Sequence, residues 1–213
     1  MKIKITEEQY NGIVQRNIEE DYPTNWNVEE FGKLKSFNQR IQYCEKNLLR
    51  ISSGSSRVVY KIDDTKVLKL AKNKKGLAQN EVEIDFSEDY MWDGLVAEIF
   101  NYDENNLWTE MELARKVNQK IFQEVTGLNF DEYCNNLRYY DSQQGNRKSM
   151  YKPTKPESYD DMWENDYGSG MLSLIGSYDL PVGDLCRLST YGVVSRNGQN
   201  DIVMIDYGLT KDV

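Results

Sequence analysis

The sequence predicts an α+β protein in which a small antiparallel sheet of five strands precedes a mainly helical part. Its apolar residues recur at helical spacing, then alternate, and then return to helical spacing. Short polar turns join the alternating segments, which favours an antiparallel meander. These changes divide the chain into an N-terminal helical extension (residues 1–45), a sheet-containing lobe (residues 46–113) and a reduced helical lobe (residues 114–213).

Two helices are expected in the N-terminal extension. The first begins at the segment Thr6-Glu7-Glu8-Gln9, which matches the capping-box pattern. The second runs from Val28 to Tyr43. Both show apolar residues at helical spacing, namely Tyr10, Ile13, Val14 and Ile18 in the first and Phe31, Leu34, Phe37 and Ile41 in the second.

Five strands and one helix are expected in the second region. The first three strands follow one another through tight turns at Ser52–Ser56 and Asp63–Thr65. A helix from Lys75 to Phe86 separates them from the last two strands, which meet at the turn Asp103–Asn105. The expected strands are Leu48–Ile51, Arg57–Ile62, Lys66–Ala71, Leu95–Tyr102 and Asn106–Glu112.

The last region is expected to contain helices, a polar loop and a final hairpin. We interpret the polar segment 141–157 as a mobile loop. Two short strands, 192–195 and 201–205, flank Asn197-Gly198, and Asn-Gly is a strong signal for a tight hairpin turn. The expected helices are Lys116–Glu124, Phe130–Tyr140 and Asp160–Ile175.

The composition excludes several kinds of catalytic site. The chain has no histidine, which removes Ser-His-Asp and Cys-His nucleophile systems and His-ligated metals. Its three cysteines, Cys44, Cys134 and Cys186, are far apart and too few for a Cys-only zinc site. We interpret them as free thiols in a reducing compartment.

The charge and the hydropathy of the chain restrict its partners. A net charge of -9 argues against a protein that binds nucleic acid by broad phosphate neutralisation. No run of 18 apolar residues is present, so we expect no membrane-spanning segment. The first six residues do not resemble a signal peptide. We therefore predict a cytoplasmic protein without a membrane partner.

Lys69 is the first candidate for chemistry. It lies among apolar residues in the expected strand Lys66–Ala71, where an inward lysine usually needs a partner or a ligand. The alternative is a lysine on the solvent face of an edge strand. Glu81 and Glu83 of the following helix are both candidate partners. We prefer Glu83, although the spacing does not decide between the two.

Two further segments point to phosphate and metal chemistry. The small residues Ser53–Ser56 let backbone N–H groups approach phosphate oxygens, and the alternative is a plain hairpin turn. Asp206 ends an apolar strand and is followed by Tyr207 and Gly208. A carboxylate at this place is suited to hold Mg²⁺ between phosphates, and the alternative is an ordinary turn aspartate.

These segments, in this order, resemble the protein-kinase-like fold, including the aminoglycoside-phosphotransferase-type kinases. Val67–Ala71 resembles V-A-I-K, Val182–Leu185 resembles H-G-D-L with Val in place of His, and Asp206–Gly208 resembles D-F-G. The segment from Gly183 to Val213 also resembles compact kinase-like proteins of large tailed bacteriophages. The resemblance implies a small five-stranded N-lobe and a reduced helical C-lobe over roughly residues 45–213.

The resemblance also implies a role for each candidate residue. ATP is expected to bind with its phosphates under the small-residue turn and against Lys69, while Glu83 orients that lysine. Asp206 is the implied Mg²⁺ ligand, and Asp184 is the implied catalytic base or acceptor-orienting carboxylate. The implied cofactor-binding residues are Ser53, Gly54, Ser55, Ser56, Lys69, Glu83 and Met111.

Two departures from the family pattern leave two functional hypotheses open. Ser189 stands five residues after Asp184, where the family has a metal-binding Asn, and its hydroxyl is a weaker metal ligand. The chain also stops at Val213, before the helices that bind peptide substrates in protein kinases. The first hypothesis is a transferase that uses ATP and Mg²⁺ to phosphorylate an unknown protein or small-molecule acceptor. The alternative is a pseudokinase-like binding module without turnover, acting as a phage structural or host-interaction protein in the host cytoplasm or the virion.

Overall fold

The structure is a computed structural model, and it describes residues 22–23, 26–92, 94–144, 153–178 and 180–207. The first expected helix, which begins at Thr6, lies outside the described residues, as do Gly208 and the C-terminal residues 209–213. Residues 145–152 of the expected mobile loop also lie outside them.

The five expected strands form one antiparallel sheet. Its order is β1-β2-β3-β5-β4, so β3 is the central strand. The strands are β1 (Leu49–Ser53), β2 (Arg57–Lys61), β3 (Lys66–Ala71), β4 (Ile99–Tyr102) and β5 (Trp108–Glu112). The predicted α+β class with a small five-stranded sheet is therefore confirmed.

Helices and a smaller second sheet complete the molecule. The helices are α1 (Val28–Gly32), α2 (Phe37–Asn47), α3 (Lys74–Ser87), α4 (Gln119–Thr126), α5 (Phe130–Gln143), α6 (Tyr159–Glu164), α7 (Asp166–Ser177) and α8 (Val182–Leu185), with 3₁₀ turns at Tyr90–Trp92 and Leu188–Thr190. The second sheet consists of β6 (Arg115–Lys116), β7 (Tyr191–Arg196) and β8 (Gln199–Met204). Within the described part of the chain, every helix is too short or too polar to traverse a bilayer.

The late hairpin confirms the prediction from Asn197-Gly198. Both residues have positive φ, 52° and 79°, as a two-residue turn between right-twisted strands requires. Strands β7 and β8 pair in continuous register from Tyr191 opposite Met204 to Arg196 opposite Gln199. This hairpin carries the chain to Ile205 and Asp206.

Two expected helices are each interrupted, which corrects the sequence prediction. The helix expected over Val28–Tyr43 is divided into α1 and α2, because Ser36 and Gln39 form a capping box that starts a new helix. The helix expected over residues 160–175 is divided at Asn165, whose side chain accepts from Gly168 N at 2.8 Å. In both places a polar side chain competes with the backbone for its own hydrogen bonds.

The helix expected to begin at Lys116 begins at Gln119 instead. Arg115 and Lys116 are in β6, which pairs with β7, and Asn118 then caps α4. Helix α5 continues to Gln143, three residues into the segment interpreted as a loop. The three cysteines are free thiols, as expected.

The two faces of the five-stranded sheet belong to different hydrophobic cores. Leu68 and Leu70 of β3 pack in a core with Cys44 of α2. Because side chains alternate along a strand, Val67 and Lys69 face the other way, and Val67 joins the core of the helical lobe. The sheet therefore presents Lys69 on the face that looks towards the helical lobe.

Candidate functional site

A cavity of about 440 Å³ lies at the inner face of the sheet, where β1, β3, β5 and the end of β8 meet. Most of its wall comes from residues 51–57, from Val67 and Lys69, from residues 111–114 and from Ile205 and Asp206, and the sequence analysis had selected residues in each of these segments. The sequence-predicted residues that line it are Ser53, Gly54, Ser55, Ser56, Lys69, Met111, Ser189 and Asp206. The fold thus brings together most of the residues that the motifs selected.

Lys69 and Glu83 form a buried ion pair at the back of the cavity. The Lys69 ammonium lies 2.9 Å and 3.0 Å from the two carboxylate oxygens of Glu83 and donates to the carbonyl of Ile205 at 2.5 Å. Lys69 is 6% exposed and sits in the central strand, opposite Val59 and Thr109. The alternative of a solvent-facing lysine on an edge strand is therefore wrong.

The period of helix α3 decides which glutamate contacts Lys69. Gln79, Asn80 and Glu83 are buried on the face that packs against the sheet, at helical spacing i, i+1 and i+4. Glu81 lies on the exposed face. Glu83 is therefore the partner of Lys69, and Glu81 is not.

Arg57 is a member of the site that the sequence analysis missed. Its Nη1 lies 2.7 Å from Glu83 Oε2, and its Nη2 lies 2.6 Å from Asp206 Oδ1. The Arg57 side chain is 8% exposed. The two-residue alternation along β2 could have found it, because Arg57 shares a face with Val59, which is paired with Lys69.

Arg57, Lys69, Glu83 and Asp206 form a chain of ion pairs with equal numbers of positive and negative charges. Burial by itself raises the pKa of Glu83, but the two cations beside it outweigh burial and hold that pKa below its ordinary value. Glu83 is therefore ionised at neutral pH. Burial lowers the pKa of Arg57, and the two carboxylates more than reverse this, so its guanidinium stays charged.

Hydrogen bonds from Lys72 and to helix α3 hold the small-residue turn between β1 and β2 in place. Gly54 N donates to the carbonyl of Arg57 at 2.9 Å, and the Lys72 ammonium donates to the carbonyl of Gly54 at 2.8 Å. Ser56 Oγ donates to Gln79 of α3. These contacts fix the turn over the cavity.

Gly76 lies where the first turn of α3 meets this small-residue turn. A Cβ on Gly76 would lie 2.3 Å from the carbonyl oxygen of Ser56 and 3.0 Å from Cα of Ala71, and both are main-chain atoms. We expect Gly76→Ala to lower the free energy of unfolding by about 1–3 kcal/mol, because overpacking outweighs the gain in helix propensity. Urea denaturation measures the change.

The matched control for this prediction is Gly32→Ala in α1. Nothing lies within 4 Å of a Cβ at Gly32, so this variant should unfold at or above the wild-type urea concentration. Equal stability of the Gly76→Ala variant and the wild type would contradict a tight contact between α3 and the turn.

Asp206 and Tyr207 point to opposite sides of the chain. The Asp206 side chain is half-exposed in the cavity, where it pairs with Arg57. Tyr207 is buried against Phe86 of α3 and donates its hydroxyl to the carbonyl of Ala97 at 3.1 Å. The tyrosine thus anchors this segment in the core and leaves the carboxylate at the cavity.

Two predicted site residues do not line the cavity, namely Glu83, which contacts Lys69, and Asp184. Asp184 lies in the short helix α8, and its Oδ1 is 2.8 Å from Nη1 of Arg187. Its carbonyl accepts a hydrogen bond from Thr190 Oγ1 at 2.6 Å, next to Ser189, which does line the cavity. Val182, which stands where the family has His, is buried.

The described residues form a five-stranded antiparallel sheet. In the helix that follows the third strand, a glutamate contacts a lysine of that strand. An aspartate of the helical lobe lines the same cavity as this lysine. The order of these elements and the buried lysine–glutamate pair match the kinase-like fold that the sequence resembles. The helical lobe contributes Ser189, Ile205 and Asp206 to the wall of the cavity.

Comparisons with known proteins find distant structural likenesses. No protein-family model and no curated protein matches the sequence. Similar solved structures include a streptomycin–ATP complex of APH(2'')-IIa (12% identity, TM-score 0.33, 87% of this chain and 73% of that chain). Others are the ADP-bound aminoglycoside phosphotransferase APH(2'')-Ib (13%, 0.36, 81% and 69%) and a gentamicin complex of APH(2'')-IIa (13%, 0.33, 87% and 71%).

Proposed function

We propose that this kinase-like protein binds ATP in the cavity and transfers its γ-phosphoryl group to an acceptor. The buried Lys69–Glu83 pair, whose lysine lines the cavity, carries the proposal. A buried ion pair is a poor way to stabilise a fold, because apolar residues of similar size do so at least as well. Its position beneath a small-residue turn is suited to bind phosphate oxygens.

The remaining wall fits the two ends of a nucleotide. A volume of about 440 Å³ falls within the range of small-molecule sites. The wall combines apolar side chains suited to an adenine ring with the cations Arg57, Lys69 and Lys75. The apolar residues are Val59, Val67, Met111, Leu113 and Ala114.

Contacts to adenine from the segment after Met111 are restricted by the sheet. The N–H of Glu112 already donates to the carbonyl of Glu98 at 2.9 Å, and the N–H of Leu113 donates to that of Thr65 at 2.6 Å. Met111 itself offers its side chain to the cavity. Because these two N–H groups are already engaged, this segment offers the base its main-chain carbonyl groups and its apolar side chains.

The donor set of the cavity does not fit a resident Mg²⁺ ion. Asp206 and Glu112 supply the carboxylates of its wall, and each is paired with an arginine, Arg57 and Arg196, at 2.6 Å. The described residues contain no group of three His, Cys, Asp or Glu side chains placed to hold a metal.

The chain's own residues account for binding and orientation. Lys69, held by Glu83, is placed to contact the phosphates, and the Ser53–Ser56 turn covers them. Asp184 is the implied base that receives the proton of the acceptor hydroxyl, which requires its carboxylate to leave Arg187. The acceptor is a small molecule or a protein whose hydroxyl reaches this side of the cavity.

Thermal unfolding with added nucleotide tests the proposal. Saturating ATP or ADP should raise the midpoint by about 5–10 °C, since occupancy at one hundred times Kd adds about 2.7 kcal/mol. Lys69→Met should abolish most of this shift. Lys120→Met, an exposed lysine on α4, is the matched control and should retain it. If neither nucleotide moves the midpoint at millimolar concentration, with or without Mg²⁺, the proposal is wrong.

A binding module without turnover is the second candidate, and two contacts favour it. The Asp184 carboxylate is engaged by Arg187, and Ser189 offers a hydroxyl where the family offers an amide. Such a module would bind nucleotide through the same cavity wall without transferring its phosphoryl group, and would act as a phage structural or host-interaction protein. Turnover measurements on the Asp184 variant separate the two candidates.

A further inference from the structure

We propose that Arg57 is a built-in cation that neutralises nucleotide phosphates in place of a divalent metal, so that nucleotide binds this cavity without Mg²⁺. This inference rests on the proposed nucleotide site and assigns to Arg57 the charge-neutralising role that a divalent metal would otherwise have. Arg57 stands directly after the small-residue turn, in the first position of β2. It lines the cavity together with Lys69 and Asp206.

The contacts of the guanidinium leave one arm anchored and one arm exchangeable. Nη1 is held by Glu83, which is fully buried, at 2.7 Å, and by the amide oxygen of Asn80 at 3.3 Å. Nη2 is held by Asp206, whose side chain is 55% exposed. A phosphate oxygen can replace the Asp206 carboxylate at Nη2 while Nη1 keeps its partner, and the arginine fork suits phosphate geometry.

A divalent ion would bind less favourably than a phosphate at the same position. To bind Asp206 it would have to displace Arg57, and the two cations would then share one small region of low dielectric. Ser189 would supply only a neutral hydroxyl beside it. A phosphate group meets the opposite situation, because Arg57, Lys69 and Lys75 all line the cavity that receives it. The wall therefore favours the anion over the metal.

Replacing Asp206 gives opposite results under the two modes of binding. If Arg57 carries the phosphates, Asp206→Asn frees its Nη2, and ADP should bind about two- to fivefold more tightly in EDTA, the release of one half-exposed ion pair. If a metal carries them, the same substitution should remove binding. The side chain is half-exposed and the amide has the same shape, so the variant is expected to fold.

The experiment is calorimetric titration with ADP, in EDTA and in Mg²⁺, on the wild type and on Asp206→Asn, Arg57→Met and Arg57→Lys. The wild-type Kd in EDTA should lie within about threefold of that in Mg²⁺. Arg57→Met should weaken binding in EDTA by about ten- to a hundredfold, the loss of a charge-assisted contact. Arg57→Lys keeps a cation beside Glu83 and serves as the conservative variant. Its Kd for ADP in EDTA should lie between those of the wild type and Arg57→Met.

The outcomes distinguish failure of the role inferred for Arg57 from failure of the proposed nucleotide site. A wild-type Kd more than about thirtyfold weaker in EDTA, or loss of binding in Asp206→Asn, would overturn the role of Arg57 and leave the nucleotide site intact. No binding of ADP by the wild type in either buffer would overturn both. If Arg57→Met proves unfolded by circular dichroism, the sign of the Asp206→Asn effect decides alone.

Discussion

Glu83→Ala is expected to lower the free energy of unfolding by about 3–5 kcal/mol, the cost of leaving buried charge without its partner. Glu83 is fully buried and faces two cations, Lys69 at 2.9 Å and Arg57 at 2.7 Å. Without the carboxylate, Lys69 keeps only the Ile205 carbonyl, and Arg57 keeps Asp206 at the cavity surface. Urea denaturation followed by circular dichroism measures the loss.

The control for this prediction is Glu81→Ala on the exposed face of the same helix. The two positions share helix α3, so differences in helix propensity cancel, and the control should change stability by less than about 0.5 kcal/mol. A loss below about 1 kcal/mol for Glu83→Ala would mean that Lys69 and Arg57 find other partners, and the charge network would not be the structural centre of the site.

Asp184→Asn should reduce ATP turnover by about 10²–10⁴-fold while leaving nucleotide affinity unchanged, if the protein is a phosphotransferase. The carboxylate lies outside the cavity wall, so its loss removes no contact to the nucleotide. A general base acts on the acceptor hydroxyl, and the amide cannot take its proton. Release of inorganic phosphate or of phosphorylated acceptor measures turnover, and ADP titration measures affinity.

Arg187→Ala is the companion variant, because it removes the cation that holds Asp184. The Arg187 side chain is 68% exposed, so its removal should leave the fold intact and should keep or raise turnover. A wild type that binds nucleotide but turns it over no faster than Asp184→Asn would identify the binding module, and the enzyme hypothesis would be abandoned.

Local patterns were sufficient for most of the sheet. Strand β3 has the predicted bounds, Lys66–Ala71, because its alternation and its flanking turns are both encoded within a few residues. The Asn197-Gly198 turn was predicted for the same reason. The breaks at Ser36 and Asn165 were not, because a polar residue within an apolar helical pattern becomes a cap only where neighbouring packing favours the break.

The candidate site was predictable where a motif carried it. Lys69 and Asp206 were found because each ends or interrupts an apolar strand in a recognisable way. Arg57 was missed because an arginine at a strand end is usually solvated, and its burial depends on two carboxylates from distant parts of the chain. Asp184 was expected at the cavity, and the fold places it beside Arg187 instead.

The sequence by itself determined the element types, the order of the two lobes and the absence of histidine chemistry, because these depend on composition and short-range periodicity. Only the tertiary structure decided which charges meet. Arg57 and Asp206 are 149 residues apart, and Lys69 and Ile205 are 136 apart. Contacts over such separations depend on the packing of both lobes, and no local pattern contains that information. The pairing of Arg57 with Asp206, and with it the proposed metal-free phosphate site, follows from the fold alone.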